Sequence, residues 1–140
     1  MNYLLDTCLI SELVKPAPNP DVLEWLKRVP ERRLFLSVVT IGEMRKGLTR
    51  LPDSKRKDRL TDWLDTLVEE YRNRIHSIDL AVAENWGAMQ GRTESRGLPM
   101  STVDGLIAAT AYTHNLVIVT RNESDFQACN LPIKNPWRND

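Results

Sequence analysis

An apolar segment near the carboxyl end constrains the fold of this chain more than any other feature. Residues 101–111 contain a single charged side chain, Asp104, and residues 116–120 have the composition of a buried strand. We interpret the segment as a buried helix, a turn at His114–Asn115 and a core strand. An ionised carboxylate on a buried helix is costly unless it is paired or bound to a metal ion. The surroundings of Asp104 therefore become the main functional question.

Short apolar runs alternate with helical patterns along the whole chain. Strands are predicted at residues 3–5, 34–39, 75–78, 116–120 and 131–133. Helices are predicted at about 7–15, 20–29, 40–51, 55–74, 79–96 and 101–114. This alternation predicts an α/β fold in three layers, with a mainly parallel central sheet of four or five strands and helices on both faces. No repeat or linker divides the chain, so residues 1–140 are predicted to form a single domain.

Bulk properties exclude several classes of protein. The formal net charge is zero, so the chain as a whole has no field that attracts nucleic acid or an anionic membrane. Residues 45–59 are locally basic, which is compatible with a phosphate contact and also with a solvated helix face. Cys8 and Cys129 lack metal-ligand spacing and are expected to be reduced packing residues. No apolar run approaches the length of a membrane span and no signal peptide is evident, so we expect a cytoplasmic protein.

Four acidic residues follow or approach the predicted strand ends. Asp6 ends the first strand, Glu43 lies in the first turn of the helix after the second, and Asp125 follows the fourth. Asp104 begins the helix that leads into the fourth strand. Because open parallel sheets bind ligands beyond the carboxyl ends of their strands, the four acids are expected at one edge of the sheet.

Each acid also has a purely structural explanation. Thr40–Glu43 and Ser101–Asp104 resemble capping boxes, Asp6 fits a helix cap, and Asp125 alone fits a surface loop. Taken together, carboxylates about 4 Å apart repel by roughly 4 kcal/mol at an effective dielectric constant near 20, so a cluster needs cations or protons. Oxygen ligands favour Mg²⁺ or Mn²⁺. His76 and His114 are interpreted as isolated, so no zinc site is predicted.

The order and spacing of four segments resemble the PIN domain, and most closely the VapC-type and FitB-like toxins of toxin–antitoxin pairs. The resemblance covers nearly the whole chain, and its segments are Leu4–Thr7, the Glu43 helix, Asp104–Ala111 and Val119–Phe126. It implies that Asp6, Glu43, Asp104 and Asp125 form an acidic quartet in which Asp6 and Asp104 bind the metal directly. Thr7, Thr120 and Asn122 would then orient the carboxylates. Many relatives have Asp where this chain has Asn122, so a second metal ion has less support than the first.

The resemblance also implies a function. The chain would be a Mg²⁺-dependent endoribonuclease, with Mn²⁺ able to substitute, and would act as the toxin of a toxin–antitoxin pair. The candidate RNA contacts are Arg121, Arg45 and Lys46. A homodimer is implied, together with inhibition by a cognate antitoxin and a larger assembly on DNA through that antitoxin. The apolar residues considered for the antitoxin contact are Leu9, Ile10, Leu13, Met44 and Trp63.

Two other functions remain open at this point. A PIN-like scaffold would bind RNA or protein without cleaving it, although the presence of all four acids disfavours this alternative. A receiver-like phospho-acceptor domain would use Asp6, Thr120 and Lys134, but it leaves Glu43 and Asp104 without a role. The residues themselves do not distinguish RNA from DNA as the substrate.

Overall fold

The computed structural model describes residues 1–138 and contains a five-stranded sheet of order β3-β2-β1-β4-β5. Each of the four neighbouring strand pairs is parallel. The strands are β1 (Tyr3–Leu5), β2 (Leu34–Ser37), β3 (Ile75–His76), β4 (Val117–Val119) and β5 (Ile133–Lys134). The predicted α/β fold is confirmed. The last strand begins two residues later than the start predicted from the sequence.

The helices lie between the strands in the predicted order. They are α1 (Thr7–Leu13), α2 (Pro20–Arg28), α3 (Val38–Thr49), α4 (Lys55–Glu70), α5 (Leu80–Ser95) and α6 (Thr102–His114). Single 3₁₀ segments occur at Glu31–Arg33, Arg72–Arg74 and Glu123–Cys129. No helix within residues 1–138 is long and apolar enough to cross a membrane.

Two apolar clusters cover the two faces of the sheet. Leu5, Leu36 and Val119 pack with α1 to α4 on one face. Leu4 and Ile118 point to the other face, against α5 and α6. This alternation is the period of two that a strand imposes. Burial on both faces explains why the strands read as continuous apolar runs.

The start of α3 differs from the sequence prediction. The strand was predicted to continue through Val39, but β2 ends at Ser37, whose Oγ accepts a hydrogen bond of 3.1 Å from the backbone N–H of Val39. Serine is a strong N-cap, and it overrides the strand preference of the two following valines. Thr40 therefore lies inside the helix, so the proposed capping box with Glu43 does not form.

The strand order places a crevice between β1 and β4. The chain runs from β1 to β2 and β3 on one side, then returns to add β4 and β5 on the other side. This reversal leaves the carboxyl ends of β1 and β4 beside each other, where open α/β sheets bind ligands. Asp6 and Thr120 follow these two strands directly.

A buried carboxylate outside the crevice ties together distant parts of the chain. Glu12 in α1 is 5% exposed and accepts hydrogen bonds from Trp137 Nε1 (3.1 Å), Asn19 N (3.1 Å) and Lys15 Nζ (3.0 Å). The bond from Lys15 is the largest of several contributions that lower the pKa of Glu12. This carboxylate fixes the segment after β5 against α1.

Replacing Glu12 with Ala should lower the free energy of unfolding by about 1–3 kcal/mol, because two half-buried N–H donors lose their acceptor. Urea unfolding at neutral pH measures this loss. Because the folded-state pKa is lowered, the contribution is fully present above the unfolded value of about 4.3 and is lost as the pH falls through the folded value. Lys15→Ala is the control. Its ammonium is exposed, so its effect should stay within about 0.5 kcal/mol, and an equal loss in both variants would contradict the assignment.

Candidate active site

Asp6 lies at the base of the crevice and is held by short hydrogen bonds. Its Oδ1 accepts from the backbone N–H of Thr7 at 2.8 Å, which makes it the N-cap of α1. Its Oδ2 accepts from the hydroxyl of Thr120 at 2.8 Å. The residue is 6% exposed, and burial raises its pKa although these bonds lower it. The cap explanation is therefore correct for Asp6.

The hydroxyl of Thr7 connects α1 to α3. It donates to Glu43 Oε1 at 2.5 Å and lies 3.1 Å from the hydroxyl of Thr40. Thr7 thus contacts Asp6 through its backbone and Glu43 through its side chain. The charge of Glu43 also contributes to the raised pKa of Asp6, so these two acids belong to the same site.

Asp104 approaches the crevice from the first turn of α6. Ser101 caps this helix, and its Oγ accepts from the backbone N–H of Asp104 at 3.1 Å. Burial is the largest cause that raises the pKa of the half-buried Asp104 carboxyl, and the charges of Asp125, Asp6 and Glu43 raise it further. The fold therefore brings all four acids within electrostatic range of one another.

The segment after β4 places Asp125 and Asn122. Asp125 is exposed in the 3₁₀ segment and lines a cavity of about 350 Å³ together with Asp104. The backbone N–H of Asn122 donates to the Thr120 hydroxyl at 3.0 Å, and this hydroxyl in turn donates to Asp6. Asn122 therefore acts on the site through its backbone and Thr120.

In the part of the chain that the structure describes, the four acids have no internal counter-ion. Within residues 1–138, none of the four forms an ion pair with Lys, Arg or His. In the same part of the chain, no three His, Cys, Asp or Glu side chains are arranged to hold a metal ion by themselves. This donor set still fits Mg²⁺, which keeps several waters and takes only one or two carboxylates.

Comparison with known proteins identifies the family of this site. The model of the PIN domain matches residues 3–129. The chain belongs to the PIN-domain family. The resemblance predicted from the four sequence segments is thereby confirmed.

Relatives of this PIN domain match it over almost their full length. Toxin FitB of Neisseria gonorrhoeae and the plasmid stability protein StbB of Pseudomonas syringae pv. tomato are each 34% identical to it, over 96% of this chain and 97% of the relative. VapC ribonuclease Y4jK of Sinorhizobium fredii is also 34% identical, over 96% of both chains. The solved structure of FitAB bound to an IR36 DNA fragment is similar with a TM-score of 0.93 and 32% identity, covering 99% of this chain and 97% of that one.

The apolar residues considered for the antitoxin contact differ in how accessible they are. Leu9 and Ile10 were considered for a partner contact but are 0% exposed and belong to the core. Met44 and Trp63 instead line a groove of about 320 Å³ between α1, α3 and α4, which we call the Trp63 groove. Leu13 is half-buried and packs against the core.

The basic residues predicted to contact RNA differ in their surroundings. Lys46 lines the Trp63 groove with Thr7 and Glu43. Arg45 forms an exposed ion pair of 2.7 Å with Asp65. Arg121 is exposed, and its backbone N–H donates to Cys8 Sγ at 3.5 Å. Their contact with RNA stays a prediction.

The two histidines are not isolated, contrary to the sequence interpretation. Their rings stack with centroids 3.7 Å apart, and His76 also stacks on Phe35 at 5.3 Å. Burial, and then the charge of His114, lower the pKa of His76. Residues so distant in sequence give no local signal of this contact, which packs β3 against α6.

Gly105 is a site residue that sequence reasoning did not single out. A Cβ at this position would lie 2.5 Å from Gln90 Oε1 and 2.9 Å from Trp86 Nε1. The glycine therefore lets α5 approach the first turn of α6, next to Asp104. No local sequence pattern reveals this role of Gly105, because it depends on the contact between α5 and α6.

The raised pKa of Asp104 predicts how stability of the metal-free protein depends on pH. Because the folded value exceeds the unfolded value of about 3.9, the contribution of the Asp104 carboxyl to stability is fully present below that pH and is lost as the pH rises through the folded value. Asp104→Asn removes this loss, so the metal-free variant should be more stable than the parent at neutral pH. Chemical unfolding with chelator, from about pH 4 to pH 8, measures the difference. A variant that is less stable throughout would mean that the ionised carboxylate stabilises the fold.

Gly105→Ala should destabilise the PIN domain by about 1–3 kcal/mol, because overpacking outweighs the gain of about 1 kcal/mol in helix propensity. Gly87→Ala, in α5, is the matched control. A Cβ there meets nothing within 4 Å, so this variant should be slightly more stable. Thermal unfolding of both variants measures the contrast, and equal effects would refute close packing at Gly105.

Proposed function

We propose that this PIN-domain protein is a Mg²⁺-dependent endoribonuclease, able to use Mn²⁺, and that it is the toxin of a toxin–antitoxin pair. The observation that carries the proposal is the acidic quartet, which has no ion pair within residues 1–138 and includes two carboxyls with raised pKa. Relatives named toxin FitB and VapC ribonuclease support the assignment of activity and biological role.

Asp6 and Asp104 are the residues proposed to hold the metal ion. When bound, a divalent cation acidifies water and neutralises charge on the phosphate oxygens. Glu43 and Asp125 complete the acidic quartet. No histidine or serine nucleophile is needed for such hydrolysis.

The remaining site residues orient these carboxylates. The Thr120 hydroxyl donates to Asp6 Oδ2, and the Thr7 hydroxyl donates to Glu43 Oε1. Each hydroxyl fixes the direction of one carboxylate, and such outer hydrogen bonds tune metal sites strongly. We propose that Lys46 and Arg121 contact the phosphates on either side of the cleaved bond.

The proposed partner is an antitoxin that occupies the Trp63 groove. Met44 and Trp63 provide apolar contact, and Glu43 at the end of the groove would receive a basic side chain. The similar structure of FitAB bound to a DNA fragment supports an assembly of this kind. We propose a homodimer that reaches DNA through the antitoxin.

Asp6→Asn and Asp104→Asn should each lower the rate of RNA cleavage by a factor of about 10² or more, the scale expected when a group that stabilises transition-state charge is removed. Total RNA incubated with Mg²⁺ or Mn²⁺, followed by mapping of fragment ends, measures the activity, and chelator gives the background. Asp62→Asn, an exposed acid in α4, is the control and should cleave normally.

Two results would change this proposal. Full activity in both site variants would remove the acids from the mechanism. Metal-independent RNA binding by the parent protein, with no cleavage under any condition, would favour the non-catalytic scaffold.

A further inference from the structure

A second cavity opens beside the acids, on the side of the sheet covered by α5 and α6. The cavity that contains Asp104 and Asp125, here the acid cavity, also has Ala128 in its wall. Ala128 lines the second cavity as well, which has a volume of about 790 Å³ and lies between α5, α6 and the segment after β4. We call this second space the arginine cavity. The two cavities are therefore neighbours that share Ala128 as a wall residue.

Two arginines give the arginine cavity its charge. Arg92 and Arg96 are separated by one turn of α5, so they lie on the same side of the helix. Within residues 1–138, neither forms an ion pair. Arg96 donates from a terminal nitrogen to the carbonyl of Ala128 at 2.7 Å. This bond holds its guanidinium where the two cavities meet and leaves other N–H groups available for an anion.

An aromatic ring lies on the opposite wall. Tyr112 of α6 lines the arginine cavity and is 57% exposed, which is unusual for so large a ring. On the wall formed by α5, Gly87 and Gly91 contribute no side chain, and a Cβ at either position would meet nothing within 4 Å. The exposed ring of Tyr112 and the missing side chains at Gly87 and Gly91 leave the arginine cavity open to solvent.

The thiol of Cys129 links the two charged regions. It lines the arginine cavity, and burial is the main cause that raises its pKa. The charge of Arg96 lowers this pKa, whereas the charge of Asp104 raises it. The charges of Arg96 and Asp104 therefore both lie within electrostatic range of the Cys129 thiol.

We propose that the arginine cavity binds the single-stranded RNA that flanks the cleaved bond. Phosphates contact Arg92 and Arg96, and a base stacks on Tyr112. Basic grooves with aromatic platforms are the usual means of binding single strands, and exposed bases are what RNA-binding proteins read in unpaired segments. The proposal rests on the ribonuclease function and adds to it the path of the substrate away from the acids.

The test is direct binding without cleavage. A fluorescein-labelled oligouridylate of about 20 nucleotides is titrated with protein in chelator, and anisotropy is recorded over a range of salt concentrations. Arg92→Ala combined with Arg96→Ala should weaken binding about tenfold or more and reduce the slope of log K against log salt by about 1.4, since two phosphate contacts are lost. Tyr112→Ala should weaken binding about tenfold and leave the salt slope unchanged.

Three further variants make the result specific. Arg28→Ala combined with Arg32→Ala removes the same charge from exposed residues at the end of α2 and just after it, and α2 packs on the sheet face opposite α5 and α6, so this variant should bind normally. Arg92→Ala alone is informative if the double variant unfolds, because Arg92 has no ion pair within residues 1–138 to lose. Arg96→Lys keeps the charge and should recover most of the affinity lost in Arg96→Ala.

The outcomes separate this inference from the function on which it rests. Suppose that the parent cleaves RNA but the cavity variants bind the oligouridylate as tightly as the parent and the Arg28 and Arg32 control do. The arginine cavity is then not a substrate path. If the cavity variants keep RNA affinity but change the mass measured by light scattering, the cavity is a protein contact and the proposal is overturned. If the parent neither binds nor cleaves RNA, the ribonuclease function itself fails.

Discussion

Mutual repulsion among four carboxylates is the constraint on which the functional part of this structure depends. Parallel pairing of β1 with β4 brings Asp6 beside Thr120, and the helices after β2 and before β4 direct Glu43 and Asp104 to the same crevice. Within residues 1–138 no cation offsets this charge through an ion pair. The metal-free fold tolerates the repulsion because the core on both sheet faces holds the backbone in place.

Hydroxyl groups orient two of the four acids, Asp6 and Glu43. Thr7 and Thr120 each bind a different carboxylate, and the backbone of Asn122 fixes the direction of the Thr120 hydroxyl. A lysine or arginine in these positions would neutralise the site and compete with a metal ion. Neutral donors orient the oxygens and preserve their affinity for a cation. This choice explains how a stable fold keeps an uncompensated cluster.

Local patterns in the sequence predicted the helices and the capping residues well. The helices predicted at about 20–29, 55–74 and 79–96 and the cap at Ser101 have short-range signals, and the structure confirms them to within four residues. The convergence of acids also followed, because strand ends of a parallel sheet meet at one edge. The start of α3 was misplaced, since two valines after Ser37 resemble a strand. Long-range contacts such as the His76–His114 stack, the Gly105 packing and the arginine cavity have no local signal.

Calorimetric titration of the metal-free protein with Mn²⁺ tests the central claim most directly, because it measures whether the acids bind a cation without reference to RNA or to any partner. The account predicts saturable binding to the parent protein, competition by Mg²⁺ at the same site, and loss of binding when Asp104 is replaced by Asn. A parent protein that binds no Mn²⁺ would contradict it.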